Sequence, residues 1–170
     1  MNNILNSDLI NATRRNHALE HATIHVLSNH FPGLTLAGHS NPTGFVLLGD
    51  LPVESVREAV VEALSRLQNG EHQLAIHDGC GTNYVATSSL AAIFGFMAMS
   101  GTRNNRERLQ RMPWMMIFSM LAVILGLPFG RVLQKNVTTN PETGSLMLTD
   151  VYPLRQGVYR VATSCQPAQS

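Results

Sequence analysis

The sequence has 170 residues, of which 44% are hydrophobic and 14% are charged, with a formal net charge of +1. Soluble domains carry roughly 25% charged residues, so the deficit indicates segments that do not face water. The small net charge argues against a nucleic-acid-binding surface, which needs clustered Lys and Arg. Two cysteines, Cys80 and Cys165, exclude a disulfide framework and a four-cysteine zinc site. Residues 1–16 lack a continuous apolar core, so we expect no signal peptide.

The first half of the chain alternates helical and extended patterns. Cap, turn and periodicity signals predict an order of helix, strand, strand, helix and strand. The five elements are expected at Ser7–Asn29, Leu34–Ser40, Phe45–Leu48, Pro52–Gln68 and Gln73–His77. We therefore predict an α/β (α+β) domain over residues 1–83, with two helices packed on a small mixed or antiparallel sheet. Two further strands, Ser145–Val151 and Val158–Ser164, predict a C-terminal β-hairpin in residues 135–170 that packs on the first domain.

Two apolar segments follow, at about residues 84–101 and 114–130, and neither contains His, Lys, Arg, Asp or Glu. Each is near the roughly 17–25 residues that a membrane-spanning helix needs. Residues 84–134 are therefore predicted to form a transmembrane helical hairpin, with the lipid bilayer as its partner. The alternative, a buried hairpin in a soluble protein, lacks enough remaining chain to cover two such helices. Without ionisable groups, the hairpin is expected to be an anchor or a docking surface.

Two rules disagree on the orientation of this hairpin. Four arginines, Arg103, Arg106, Arg108 and Arg111, lie in its turn, and Arg131 and Lys135 follow its second helix. The positive-inside rule places the turn in the cytoplasm. That placement requires the N-terminal domain to cross the membrane without a signal sequence. The side of the membrane on which the α/β domain lies is left open.

A short motif in the first helix suggests metal chemistry. His17, Glu20 and His21 form an H-x-x-E-H pattern. Residues four apart lie 40° apart around a helix, so both imidazoles can reach one Zn²⁺. Glu20 lies beside them and can take a proton from metal-bound water. The alternative is a pair of core histidines that are simply hydrogen-bonded to protein groups. We predict His17 and His21 as zinc ligands and Glu20 as the catalytic base.

A third ligand has to come from elsewhere in the chain. His25 is about 12 Å from His17 along the helix axis, which is too far to complete the same site. We favour His77, at the end of the predicted third strand, although a solvated histidine is nearly as plausible there. The other candidates are His39, Glu58, Glu62, Asp78 and Cys80.

The residues of this motif carry two resemblances. The run Arg15–His25, with Gly38–Ser40 and His77–Asn83 downstream, resembles a family of small bacterial integral membrane proteins without an assigned function, over about residues 10–130. That resemblance implies a multi-pass protein of the bacterial cytoplasmic (inner) membrane and nothing about its chemistry.

Residues 15–68 are also similar to the start of the pitrilysin/insulinase zinc peptidase domain. This similarity implies that His17 and His21 are ligands and that Glu20 is the general base. That family supplies its third ligand as a glutamate far downstream. The corresponding distance here falls in the first apolar segment, which has no carboxylate, so metal binding is better supported than peptidase activity.

Together these patterns predict a membrane-anchored zinc-binding protein. If it is an enzyme, it is expected to be a metal-dependent hydrolase. The rival is a non-catalytic accessory subunit or assembly factor that docks on a larger membrane complex through the hairpin. In that case the metal is structural. Whether the protein is an enzyme, its substrate and its oligomeric state are left open.

Overall fold

The computed structural model describes residues 7–165. Residues 1–6 of the predicted first domain and residues 166–170 of the predicted C-terminal segment lie outside the described part. A 3-10 turn covers His72–Ala75, and a π-helical turn covers Gln134–Thr138. The helices and strands, in chain order, are α1 (Asp8–His30), β1 (Ala37–Asn41), β2 (Gly44–Leu48), α2 (Val53–Gln68), α3 (Gly81–Met99), α4 (Asn105–Leu133), β3 (Leu146–Arg155) and β4 (Val158–Cys165).

The four strands form one antiparallel sheet in the order β1-β2-β4-β3. The predicted C-terminal hairpin is confirmed, and its second strand pairs directly with β2. Phe45 of β2 and Val161 of β4 are register partners, and both are fully buried. Gly44 begins β2 with φ +131°, and a Cβ there would lie 2.0 Å from the carbonyl oxygen of Val161. Glycine therefore permits the close approach of the two central strands.

Helices α1 and α2 supply the rest of the core. The predicted second helix is confirmed, and its apolar face is in the core: Val56, Ala59, Val60, Ala63 and Leu67 are buried, and Leu64 packs against them. Helix α1 is buried over most of its second half, including the polar residues Glu20 and His21. An α+β fold with an antiparallel sheet is therefore confirmed.

The predicted third strand, Gln73–His77, is wrong. Residues His72–Ala75 form a 3-10 turn, and Leu74 and Ala75 are buried. A short apolar run between polar residues, here Leu74–Ile76 between Gln73 and His77, is typical of a strand. The carbonyl groups of Ala75 and Ile76, however, accept hydrogen bonds from side chains of α1, at 2.7 and 2.8 Å. These contacts take the place of a β-ladder. The first strand begins at Ala37, three residues later than predicted.

The chain divides into two compact units. Within the described part of the chain, the α/β unit comprises residues 7–77 and 135–165. The helical unit comprises Asp78–Gln134 and contains α3 and α4.

The helical unit places small and polar residues between its two helices. Ser119 donates a hydrogen bond to the carbonyl of Ala91, at 3.2 Å, and Gln134 donates one to the Asn83 side chain, at 2.6 Å. A Cβ at Gly126 would lie 2.9 Å from the Cα of Thr87. Small residues of this kind let helix backbones approach closely, as in membrane helix pairs.

The outer surface of the same unit is apolar. Large apolar side chains are exposed along both helices, among them Val85, Phe96, Ile124 and Leu125. By length and composition, one described helix, α4 continued by the π turn to Thr138, is apolar enough to cross a membrane. The sequence predicts two such helices. The first half of α3 is less apolar because it carries Thr82, Asn83, Thr87, Ser88 and Ser89.

Candidate metal centre

One face of α1 carries a row of nitrogen-bearing side chains. Arg14, His17, His21 and His25 are three or four residues apart, a spacing that places side chains on the same face of a helix. They contact two segments that are far apart in the sequence, residues 75–76 and residues 136–139. The row thereby ties these two segments to the helix.

His17 and His21 each use one ring nitrogen on a backbone carbonyl. The Nδ1 of His17 lies 3.0 Å from the Thr138 oxygen, and the Nδ1 of His21 lies 2.7 Å from the Ala75 oxygen. A carbonyl oxygen only accepts, so each Nδ1 carries the proton and donates it. In the neutral imidazole, the lone pair is then on Nε2. Metal-ligating histidines are held in this way, with the other ring nitrogen donating to a carbonyl or carboxylate.

The two rings are also close enough to share an ion. Their centroids are 4.3 Å apart, and a nitrogen of each ring lies within 4.8 Å of a nitrogen of the other. Two imidazoles bound to one tetrahedral Zn²⁺ have centroids about 5 Å apart, given a metal–nitrogen distance of about 2 Å. The pair therefore needs only a small adjustment to bind one ion.

His77 lies beside this pair and beside His25. Its ring centroid is 5.8 Å from that of His21 and 5.1 Å from that of His25, with the His25 ring nearly perpendicular. The structure thus brings His77 to the predicted neighbourhood, although from a loop and not from a strand end. Its role as the third ligand stays a prediction.

Glu20 is held against the sheet. Its carboxylate accepts a hydrogen bond from the Ser40 hydroxyl, and a Cβ at Gly38 would lie 2.5 Å from its Oε1. Burial raises the pKa of Glu20, opposed by the Ser40 hydrogen bond and by the charges of His17 and His39. The carboxyl group contacts β1, whereas the Nδ1 atoms of the histidine pair contact residues 75 and 138. Its role as the catalytic base stays a prediction.

The remaining candidate ligands have other positions. His39 is exposed on β1, and Glu58 is exposed on α2. Glu62 pairs with Arg66 at 3.2 Å. Asp78 and Cys80 belong to the helical unit, in which Asp78 pairs with Arg131 at 2.7 Å and Cys80 is the N-cap of α3.

Sequence reasoning excluded His25 as a ligand of the pair without predicting its contact, and it missed Arg14. His25 donates through Nε2 to the Ile76 carbonyl at 2.8 Å, and the Arg14 guanidinium donates to the carbonyls of Asn136 and Thr139 at 3.2 and 3.1 Å. The spacing of 14, 17, 21 and 25 was the available signal, since it repeats every three or four residues. Their backbone partners carry no sequence signature.

A family model described as "Domain of unknown function (DUF6391)" matches residues 12–151. An uncharacterized protein of Picosynechococcus sp. (strain ATCC 27264 / PCC 7002 / PR-6) is 31% identical over a match of 137 residues that covers 74% of this chain. The matched region spans 65% of that protein, slightly less than two thirds of its length. No solved structure matches the chain.

Proposed function

The chain belongs to the DUF6391 family, and from this premise we propose that it is a membrane-anchored protein whose α/β unit binds Zn²⁺ through His17 and His21. The observation that carries the proposal is the pair of Nδ1–H···O=C contacts, to Thr138 and to Ala75. They select the tautomer with a lone pair on Nε2 in two adjacent histidines at once. Neutral imidazole with this tautomer is a common zinc ligand.

We propose His77 as the third ligand, because its ring is the next imidazole beside His21, at 5.8 Å. That separation is close to the distance of about 5 Å expected between two imidazoles on one tetrahedral ion. Cys80, three residues further along the chain, is the thiolate alternative from the sequence. Substitution of Co²⁺ for Zn²⁺ distinguishes the two, because a thiolate ligand adds a strong sulfur-to-cobalt charge-transfer band and an imidazole does not.

The membrane anchor is supported by the arrangement of the helical unit. Polar and small residues lie between α3 and α4, and large apolar residues are exposed. This is the reverse of a water-soluble helical pair. Helix α3 has 19 residues and spans about 28 Å, close to the roughly 30 Å hydrocarbon thickness. We therefore propose that α3 and α4 both cross the bacterial cytoplasmic membrane as a hairpin.

A hydrolytic activity is the second candidate, and the burial of Glu20 favours it. General bases often have a carboxyl pKa that burial has raised toward neutrality. Glu20 is buried, and this burial raises its pKa. A Zn²⁺ ion on the histidine pair would lower the pKa of its bound water toward about 7, and Glu20 would accept the proton.

The Glu20→Gln variant tests this second candidate. Glutamine keeps a carbonyl oxygen for the Ser40 hydroxyl but cannot accept a proton from water. We expect the variant to retain its zinc and to lose hydrolysis of a quenched fluorescent peptide mixture by at least about 100-fold. If the wild-type protein and the variant bind the same amount of zinc and the wild-type protein hydrolyses no peptide, the metal is structural, as in an accessory subunit.

A further inference from the structure

A cavity of about 440 Å³ lies in the α/β unit, and its described lining residues do not include His17 or His21. One wall is formed by residues 72–76, around the 3-10 turn, and the other by residues 135–141. Small-molecule sites in proteins commonly have volumes of about 300–1,000 Å³. The size of this cavity is therefore that of a small-ligand site.

Helix α1 holds both walls in place. Four of the residues that line the cavity have backbone carbonyls that accept hydrogen bonds from α1. Ala75 and Ile76 bind His21 and His25 on one wall, and Asn136 and Thr139 bind Arg14 on the other. Ligand sites are usually largely preformed, because fixed walls reduce the entropy that binding costs. These contacts fix the walls of the cavity.

The lining combines cationic and amide donors with an apolar surface. Its polar lining residues are a lysine, a histidine and two amide residues, Lys135, His72, Gln73 and Asn136, all exposed at the edge of the unit. Ala75, Ile76 and Pro141 contribute apolar surface. None of the described residues that line the cavity is acidic. An ammonium group with neighbouring donors complements a carboxylate or phosphate, and the apolar part complements a hydrocarbon group.

We propose that this cavity binds a small organic anion, a carboxylate or phosphate joined to an apolar group, with Lys135 as its charged contact. The proposal does not require bound zinc, because His21 acts on the cavity only by holding Ala75, and neither His17 nor His21 is among the described lining residues. Free organic acids and phospholipid head groups share this anionic chemistry. Water-soluble probes and vesicles distinguish the two sources.

The sequence offers a direct probe, because Lys135 is its one lysine. Reductive methylation with ¹³C-formaldehyde labels that amine in the full-length, detergent-solubilised protein and keeps its charge. Phenyl phosphate and benzoate are titrated against the Lys135 signal, with benzyl alcohol as the uncharged analogue and inorganic phosphate as the anion without an apolar group. We expect saturable shifts with the two organic anions and at least about tenfold weaker binding of the other two.

A matched pair of variants tests the role of Lys135, with calorimetric titration of the unlabelled protein as the readout. Lys135→Gln is expected to weaken phenyl phosphate and benzoate binding by about 10- to 100-fold, because it removes a charge-assisted hydrogen bond. Arg155→Gln removes one exposed positive charge at the end of β3 and is expected to leave binding unchanged. Thermal melting of each variant checks that it folds.

Three results would overturn the proposal. The first is no saturable shift with either organic anion. The second is benzyl alcohol binding as tightly as benzoate, and the third is equal loss of affinity in Lys135→Gln and Arg155→Gln.

Protein reconstituted into phosphatidylcholine vesicles with and without phosphatidic acid addresses the ligand source. If vesicles that contain phosphatidic acid weaken phenyl phosphate binding and vesicles without it do not, the ligand is a lipid head group. If neither kind of vesicle weakens that binding, the ligand is a free organic acid.

Discussion

Replacement of His17 or His21 with asparagine is expected to remove stoichiometric zinc from the purified protein. The amide nitrogen of asparagine occupies nearly the position of the imidazole Nδ1, so it can still donate to the carbonyl of Thr138 or Ala75. It has no counterpart of Nε2 and cannot bind the ion from that position. We expect zinc affinity to fall by more than about 100-fold, since loss of an outer-shell partner alone costs about 10- to 100-fold. Zinc titration with a chromophoric competitor measures the change.

The control is His30→Asn, at the C-terminal end of the same helix. His30 is exposed, and its ring lies 3.8 Å from the Glu62 carboxylate. We expect the zinc affinity of this variant to equal that of the wild-type protein. Unchanged affinity in His17→Asn and His21→Asn would mean that the imidazoles serve only to hold residues 75 and 138 against α1. The histidine pair would then be structural.

Replacement of Ile124 with arginine is expected to prevent stable insertion of α4 into the membrane. Ile124 lies near the middle of the uncharged part of α4, and 58% of its surface is exposed. In lipid, an arginine at the centre of a helix costs about 3 kcal/mol relative to an apolar residue. On a water-facing surface the same substitution changes stability by about 0.5 kcal/mol or less. Carbonate extraction of membranes, followed by immunoblotting, measures the loss.

Val61→Arg is the matched control for this prediction. Val61 is on α2 in the α/β unit, and 53% of its surface is exposed, nearly the same fraction as for Ile124. We expect this variant to remain in the carbonate-resistant membrane fraction. If Ile124→Arg is retained there as well, or if the wild-type chain is recovered as a soluble monomer without detergent, the membrane assignment fails.

Much of the fold follows from local sequence signals. The stripe of α2 repeats with the helical period, and the turn Asn41–Gly44 separates two short β-type runs, so these elements were predictable. The run Gln73–His77 shows the limit of such reasoning. Its short apolar run is typical of a strand, but His21 and His25, about fifty residues earlier, donate hydrogen bonds to its carbonyl groups. Local patterns do not contain that information.

Part of the candidate site, the pairing of two histidines, was also predictable from the sequence. The spacing of His17 and His21 indicates a shared face of α1, and the structure places their rings together. The carbonyl of Thr138, which orients His17, comes from 121 residues further along the chain. The position of Glu20 was missed for a similar reason. Gly38 and Ser40 create a space on β1 that receives its carboxylate, and only the packing of α1 on the sheet reveals it.

The zinc content of the full-length protein, purified from membranes in detergent and measured by mass spectrometry of the metal, tests the central claim most directly. Binding through His17 and His21 predicts about one Zn²⁺ per chain, retained through gel filtration and removed by a strong chelator. A protein that is purified without metal and takes up no Zn²⁺ on titration near neutral pH would contradict the claim.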